Sequence, residues 1–201
     1  MESVQRNIER IISRYKKGAV LFPSDFRGIG TESAIKMALS RLTKEGKLGR
    51  LGHGIYFIPK TDPLFDAIYP GPEEVAESLA RKEKVRIRPA GAYALHRLGL
   101  TTQVPTRLVY ITDGSPRTIK IGKATIRFIK ASPKKLAVKG EISGLVLQAL
   151  DELDIDNIDV ETENKIRELL KKEVPSLLKN DLTLAPARIH DYIVRLLKVA
   201  T

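Results

Sequence analysis

An α+β protein of two domains is predicted by three features of this 201-residue chain. Between Ser24 and Lys60 an amphipathic helical stretch is followed at once by two short strand-like runs. Three further strand-like runs gather between Leu108 and Ile129. From Glu141 onward the apolar spacing returns to that of helices. Strands and helices that cluster, rather than alternate in βαβ order, argue for α+β over α/β. A hydrophobic content of 42% is enough to build cores in both parts and argues against global disorder.

The first element is a helix from Ser3 to Lys16, with Val4, Ile8, Ile11, Ile12 and Tyr15 inside, closed by Gly18. Ala19 to Phe22 is a short strand. Ser24 caps a short second helix, with Asp25 favourably placed in its first turn. The segment PSDFRGIGTESAIKMALSRLTKEGKLGRLGHGIYFIPK then carries the third helix, starting at Thr31. Its Ala34, Ile35, Ala38, Leu39 and Leu42 fall at three- and four-residue spacing and form one buried stripe. Ser33, Lys36, Met37, Ser40, Arg41 and Lys44 lie opposite. Gly46 ends this helix. Lys47 to Leu51 and Ile55 to Ile58 are strands around Gly52-His53-Gly54, and Pro59 stops the second. This order is that of a winged helix-turn-helix, assigned to residues 1–60.

Thr61 to Pro72, with Pro63, Pro70, Gly71 and Pro72, is a linker. Residues 73–201 form the second domain, of mixed α/β character with a small antiparallel sheet and C-terminal helices. Glu73, Glu74 and Glu77 open a helix that buries Val75, Ala76 and Leu79. Val85 to Arg88 is a strand, and Pro89 opens a helix over Ala90 to Leu98, ended by Gly99. Strands at Leu108–Thr112, Thr118–Ile121 and Thr125–Ile129 are joined by Asp113-Gly114-Ser115-Pro116 and Gly122-Lys123, both compatible with hairpins. The inward face of the third strand is not settled by its alternation. A helix over Glu141–Leu153 buries Ile142, Leu145, Val146, Ala149, Leu150 and Leu153. Helices over Glu161–Glu173, Ser176–Asn180 and Pro186–Val199 complete the chain.

The net charge of +11 is unevenly spread. Residues 1–60 hold twelve Lys or Arg against five Asp or Glu, and residues 84–140 hold thirteen against one. Residues 61–83 and 141–201 are each acidic. Two segregated basic blocks imply a polyanionic partner, and duplex DNA is the one that suits the first. There Arg41 is the candidate for a guanine edge, worth roughly 1–3 kcal/mol of discrimination. Lys36 and Lys44 are candidates for phosphates, and Ser33 and Ser40 stand between them. Thr31 caps the helix and presents its first amides to a phosphate. Arg50 and His53 lie near the wing tip, while Met37 is expected to pack at the helix edge. The second block offers Arg86, Arg88, Arg107, Arg117, Lys120, Lys123 and Arg127, several of which could share one face. That face would meet flanking DNA, an acidic protein or RNA, or else be balanced by the acidic helices between Asp151 and Glu173.

Zero cysteines exclude disulfides, thiolate metal sites and thiol nucleophiles. No apolar run approaches the roughly 20 residues of a membrane helix, and no signal-peptide pattern follows Met1, with Glu2, Arg6 and Glu9 on a helical pattern; the cytoplasm is expected, with no membrane partner. His53, His96 and His190 stand apart from any second ligand, so no metal is expected. Gly28-Ile29-Gly30 lacks the context of a phosphate loop. Asp151, Asp154, Asp156 and Asp159 approach calcium-loop spacing without its central glycine, and read as a solvated connection. Neither a catalytic constellation nor a cofactor is expected.

Two segments carry a family resemblance. One comprises FPSDF, KMALSRLTKEGKL and HGIYFIPK; the other is RIRPAGAYALHRLGLTTQVPTRLVYITDGSPRTIKIG followed by FIKASPKKLAVKGEISGLVLQAL. Over residues 1 to about 150 the chain resembles the AbiE-type antitoxins of abortive-infection loci. The resemblance implies an autorepressor whose winged helix binds its own promoter, at inverted repeats, and an antitoxin-like second domain. It implies a nucleotidyltransferase-like toxin as functional opponent, without a stable complex, and no enzymatic activity. The alternatives are a stand-alone regulator whose C-terminal domain senses a ligand or partner, and an RNA-binding accessory protein.

Overall fold

The computed structural model describes residues 3–62 and 66–198, with backbone alone for 61, 62, 66 and 67. Glu2, Pro63 and Val199, each included in an expectation above, lie outside the described residues. The architecture is α+β. Chain contacts separate two units, residues 1–79 with 119–123 and residues 80–118 with 124–201. No helix among the described residues is long and apolar enough to cross a membrane.

In the first unit α1 spans Val4–Ile12, where the Ser3 hydroxyl accepts the Arg6 amide. The helix stops short of Lys16, leaving Tyr15 exposed rather than inward as expected. Strand β1 (Val20–Leu21) leads into a 3-10 turn over Pro23–Phe26. Its cap is the Asp25 carboxylate, which accepts the Phe22 amide at 2.7 Å, and not Ser24. α2 runs Glu32–Lys44 from a Thr31 cap whose hydroxyl accepts the Ala34 amide. β2 (Gly49–Gly52) and β3 (Ile55–Phe57) follow, and an antiparallel sheet forms in the order β1-β3-β2. Ile8, Leu21, Phe26, Leu39, Leu42 and Leu48 fill the core at 2% exposure or less. Each such side chain contributes about 1.5–3 kcal/mol on leaving water. That core holds α2 by its apolar stripe and leaves its other face outward.

The expected linker is partly ordered: β4 (Lys60–Asp62) pairs with β5 (Asp66–Ile68). α3 (Pro72–Glu83) then buries Val75, Ala76 and Leu79 as its spacing predicts.

In the second unit β6 spans Ile87–Ala90, so Pro89 lies in a strand instead of opening a helix. β6 is an edge strand, where a residue without an N–H is tolerated. Gly91, at φ 60° and ψ −146°, makes the turn into the short α4 (Ala92–Arg97), a conformation closed to side-chain-bearing residues. β7 (Arg107–Thr112), β8 (Arg117–Ile121) and β9 (Ala124–Lys130) complete a sheet of order β6-β7-β9-β8. β7 and β9 are parallel, with Tyr110 opposite Phe128. The sheet is therefore mixed, not antiparallel as expected. The Asp113–Pro116 turn carries the chain away from β7, and β9 takes the place beside it that a simple hairpin would have given to β8.

Helices α5 (Pro133–Leu136), α6 (Glu141–Leu150), α7 (Val160–Lys171), α8 (Pro175–Leu184) and α9 (Ala187–Lys198) follow. α8 is twice the length expected. α6 has Gly140 at its cap and no side chain of its own to satisfy its first amides. Two distant carboxylates do so. Asp181 accepts the Lys139 and Gly140 amides and the Ser143 hydroxyl, and Glu173 accepts the Ile142 and Ser143 amides. Burial pushes Asp181 upward, but the Ser143 hydroxyl and the two amides outweigh it and hold its pKa below the usual value. Glu173 is likewise pushed up by burial and brought lower by amides, chiefly those of Ser143 and Val174.

Candidate nucleic-acid interface

The outer face of α2 is set by the same periodicity that buries Ile35, Ala38, Leu39 and Leu42. Ser33, Lys36, Met37, Ser40, Arg41 and Lys44 are all exposed. Met37 is 54% exposed and does not pack at the helix edge, since among the described residues no element covers that side. Arg41 and Lys44 form no hydrogen bond or ion pair with any described residue, so both keep their full donor sets for a ligand. Lys36 is engaged by Glu32 one turn earlier, and both are surface groups. Lys47 is held by Glu9 at 2.8 Å and Glu45 at 3.0 Å.

In the hairpin after α2, Arg50 folds back to donate to the Gly52 carbonyl at 3.1 Å, and His53 is exposed in the turn. The Thr31 hydroxyl is engaged as a cap, as expected.

The second basic group divides. Arg88 points inward, donating to the Val138 carbonyl at 2.7 Å and the Gly140 carbonyl at 3.1 Å. Burial lowers its pKa, and the Asp181, Glu141 and Glu173 carboxylates oppose that shift. Arg88 is thus half-buried, with its guanidinium engaged by backbone carbonyls of the fold. Arg86 pairs with Asp113 and donates to the Leu136 carbonyl. Arg117 pairs with Glu83 and lies over the Phe128 ring. Arg107, Lys120, Lys123 and Arg127 are exposed and free of ion pairs with the described residues. The seven cations named from the sequence thus include two matched by carboxylates, Arg86 and Arg117, and a third, Arg88, held by backbone carbonyls.

Residues 7–178 match a family of unknown function, DUF6088. The chain belongs to DUF6088. No curated protein matches it. In this DUF6088 chain the matched segment takes in the α2 face and Arg88, and it ends within α8 before Asp181.

The Glu32–Lys36 pair went unread although its four-residue spacing on a helix is a signal for surface pairing, whereas the partner of Lys47, Glu9, lies 38 residues away and carries no local mark. Sequence reasoning also missed the buried carboxylates of DUF6088 α6 capping. Asp181 sits beside Lys179 and Asn180 in a stretch that reads like any polar helix surface, so it carries no local mark of its task.

Proposed function

We propose that residues 1–60 of this DUF6088 protein are a winged helix-turn-helix and that it binds duplex DNA. In this reading it represses its own promoter, at inverted repeats, as the antitoxin of an AbiE-like two-gene module. The observation carrying DNA binding is the outer face of α2, where Arg41 and Lys44 stand exposed without a partner among the described residues, beside Ser33, Lys36 and Ser40. A helix with a cationic outer face followed by a β-hairpin matches the docking of a recognition helix in a major groove. Arg41 reads a guanine edge, Lys36 and Lys44 hold phosphates, and Arg50 and His53 reach the backbone from the wing. The antitoxin role rests on the resemblance over residues 1 to about 150.

The test is fluorescence anisotropy with duplex from upstream of its own gene, against scrambled duplex and single-stranded RNA. Tight binding to the first alone is expected, and Arg41→Ala should cost about 1–3 kcal/mol on the specific site. An Arg41→Ala protein holding the duplex as firmly as the native chain sinks the reading. Growth rescue after expression of the adjacent gene tests antitoxicity, with residues 73–201 expected to be required. A stand-alone regulator that senses a ligand is the second reading, favoured by a cleft in the second unit.

A further inference from the structure

A cleft of about 490 Å³ lies between one face of the mixed sheet and α6, within the range of small-molecule sites. Its floor is apolar: Ala90, Val109, Ile111 and Ile129 share that face of β6, β7 and β9 through the register Ala90–Val109 and Ile111–Ile129, and pack in part against Leu136. On α6, Gly144 and Gln148 are one turn apart and so lie on the same side. Gly144 covers Arg88, and Gln148 lines the cleft.

Gln148 is the telling residue. It is 6% exposed, yet its carboxamide makes no hydrogen bond with any described residue. Among the described residues the buried polar side-chain atoms without a partner are His96 Nδ1 and Arg117 Nε, so the Gln148 amide reaches the water of the cleft and its donor and acceptor are open to a ligand. Around it the lining is charged in a particular way. Lys135 and Asp151 neutralise each other. Arg107 and Glu152, both exposed, have no ion-pair partner among the described residues.

We propose that this cleft binds a mononucleotide. The apolar side chains of that sheet face suit the ring of a base. The Gln148 carboxamide, donor and acceptor in one plane, suits the amide-like edge of that base. The unpaired guanidinium of Arg107 suits the phosphate, which its planar fork can grip through two parallel hydrogen bonds. Glu152 accepts from ribose hydroxyls. A simple anion would engage Arg107 alone, without the Gln148 carboxamide or the apolar sheet face. The inference stands apart from DNA binding, because its residues belong to the second unit.

Calorimetry and thermal shift on the full chain test it, with AMP, GMP, CMP and UMP, their nucleosides, and inorganic phosphate as probes. At least one nucleotide is expected to bind and raise Tm. Arg107→Ala, a surface change, should weaken that nucleotide about tenfold, the worth of a charge-assisted pair, and leave its nucleoside unaffected. Gln148→Leu should abolish both; where that variant does not fold, Arg107→Ala carries the test alone. The proposal is overturned by any of three results: no nucleotide binds, phosphate alone gives an equal shift, or binding survives both variants. Binding lost in Lys44→Ala instead would assign it to α2 and equally overturn the proposal.

Discussion

Arg88, Asp181 and Glu173 show how this protein keeps charge inside, and each makes a measurable demand. Asp181 is fully buried, and Asp181→Ala would strand the Lys139 and Gly140 amides and the Ser143 hydroxyl. A loss of about 3–5 kcal/mol in urea unfolding is expected. Because the folded-state pKa values of Asp181 and Glu173 are the lowered ones, the unfolded chain takes up protons first as pH falls. Their stabilisation is complete above the ordinary carboxylate range, near pH 4, and is lost as pH falls through the folded values. Asp181→Asn should flatten that acid limb; an unchanged slope would remove Asp181 from the account. At Gly144 an added Cβ would collide with the Arg88 guanidinium. Gly144→Ala is expected to cost about 1–3 kcal/mol by overpacking, whereas Gly71→Ala, in open space, should be near neutral. None of the buried polar residues was legible in advance, since a buried Asp and an exposed one are spelled alike.

Among the elements, α2 was the most legible. Its apolar stripe, Thr31 cap and outward residues all follow from spacing within a single helix. Thr31→Ala should cost about 1 kcal/mol in thermal unfolding of the chain. The Glu32–Lys36 pair supplies a sharper test of the α2 proposal. Glu32 is held below the usual range by its hydrogen bond from Lys36, so it stays ionised beside the proposed phosphate contacts. Glu32→Gln releases Lys36 and removes a like-charge repulsion, and a severalfold gain in duplex affinity is expected. Weaker binding by that variant would place the DNA elsewhere. The strands were less legible. Pro89 signalled a helix start on local grounds, yet at a sheet edge its missing donor costs nothing. Proline-rich composition also hid the β4–β5 pairing, which depends on what two segments do together.

For the whole molecule, segregated charge is the long-range feature. The net +11 overstates the free cationic surface, since Lys47, Arg86 and Arg117 are matched by neighbours and Arg88 is turned inward. Arg86→Gln and Arg117→Gln should accordingly leave duplex affinity unchanged. Lys44→Gln should lower the salt dependence of binding by about 0.9 in log–log slope, the share of one phosphate. Titrating affinity against salt for the three variants separates these outcomes, and an equal loss in all three would mean that net charge alone attracts the DNA.

The α+β class, the buried stripe of α2 and its cationic outer side could be read directly from residue order, because helical periodicity is a property of neighbours along the chain. The parallel pairing of β7 with β9, the inward turn of Arg88 and the borrowed cap of α6 could not. The hydrogen bonds that define those two side-chain features join residues 30 to 52 positions apart. Which distant groups meet is settled by how elements pack, and packing satisfies buried amides with whatever carboxylate the fold brings within reach.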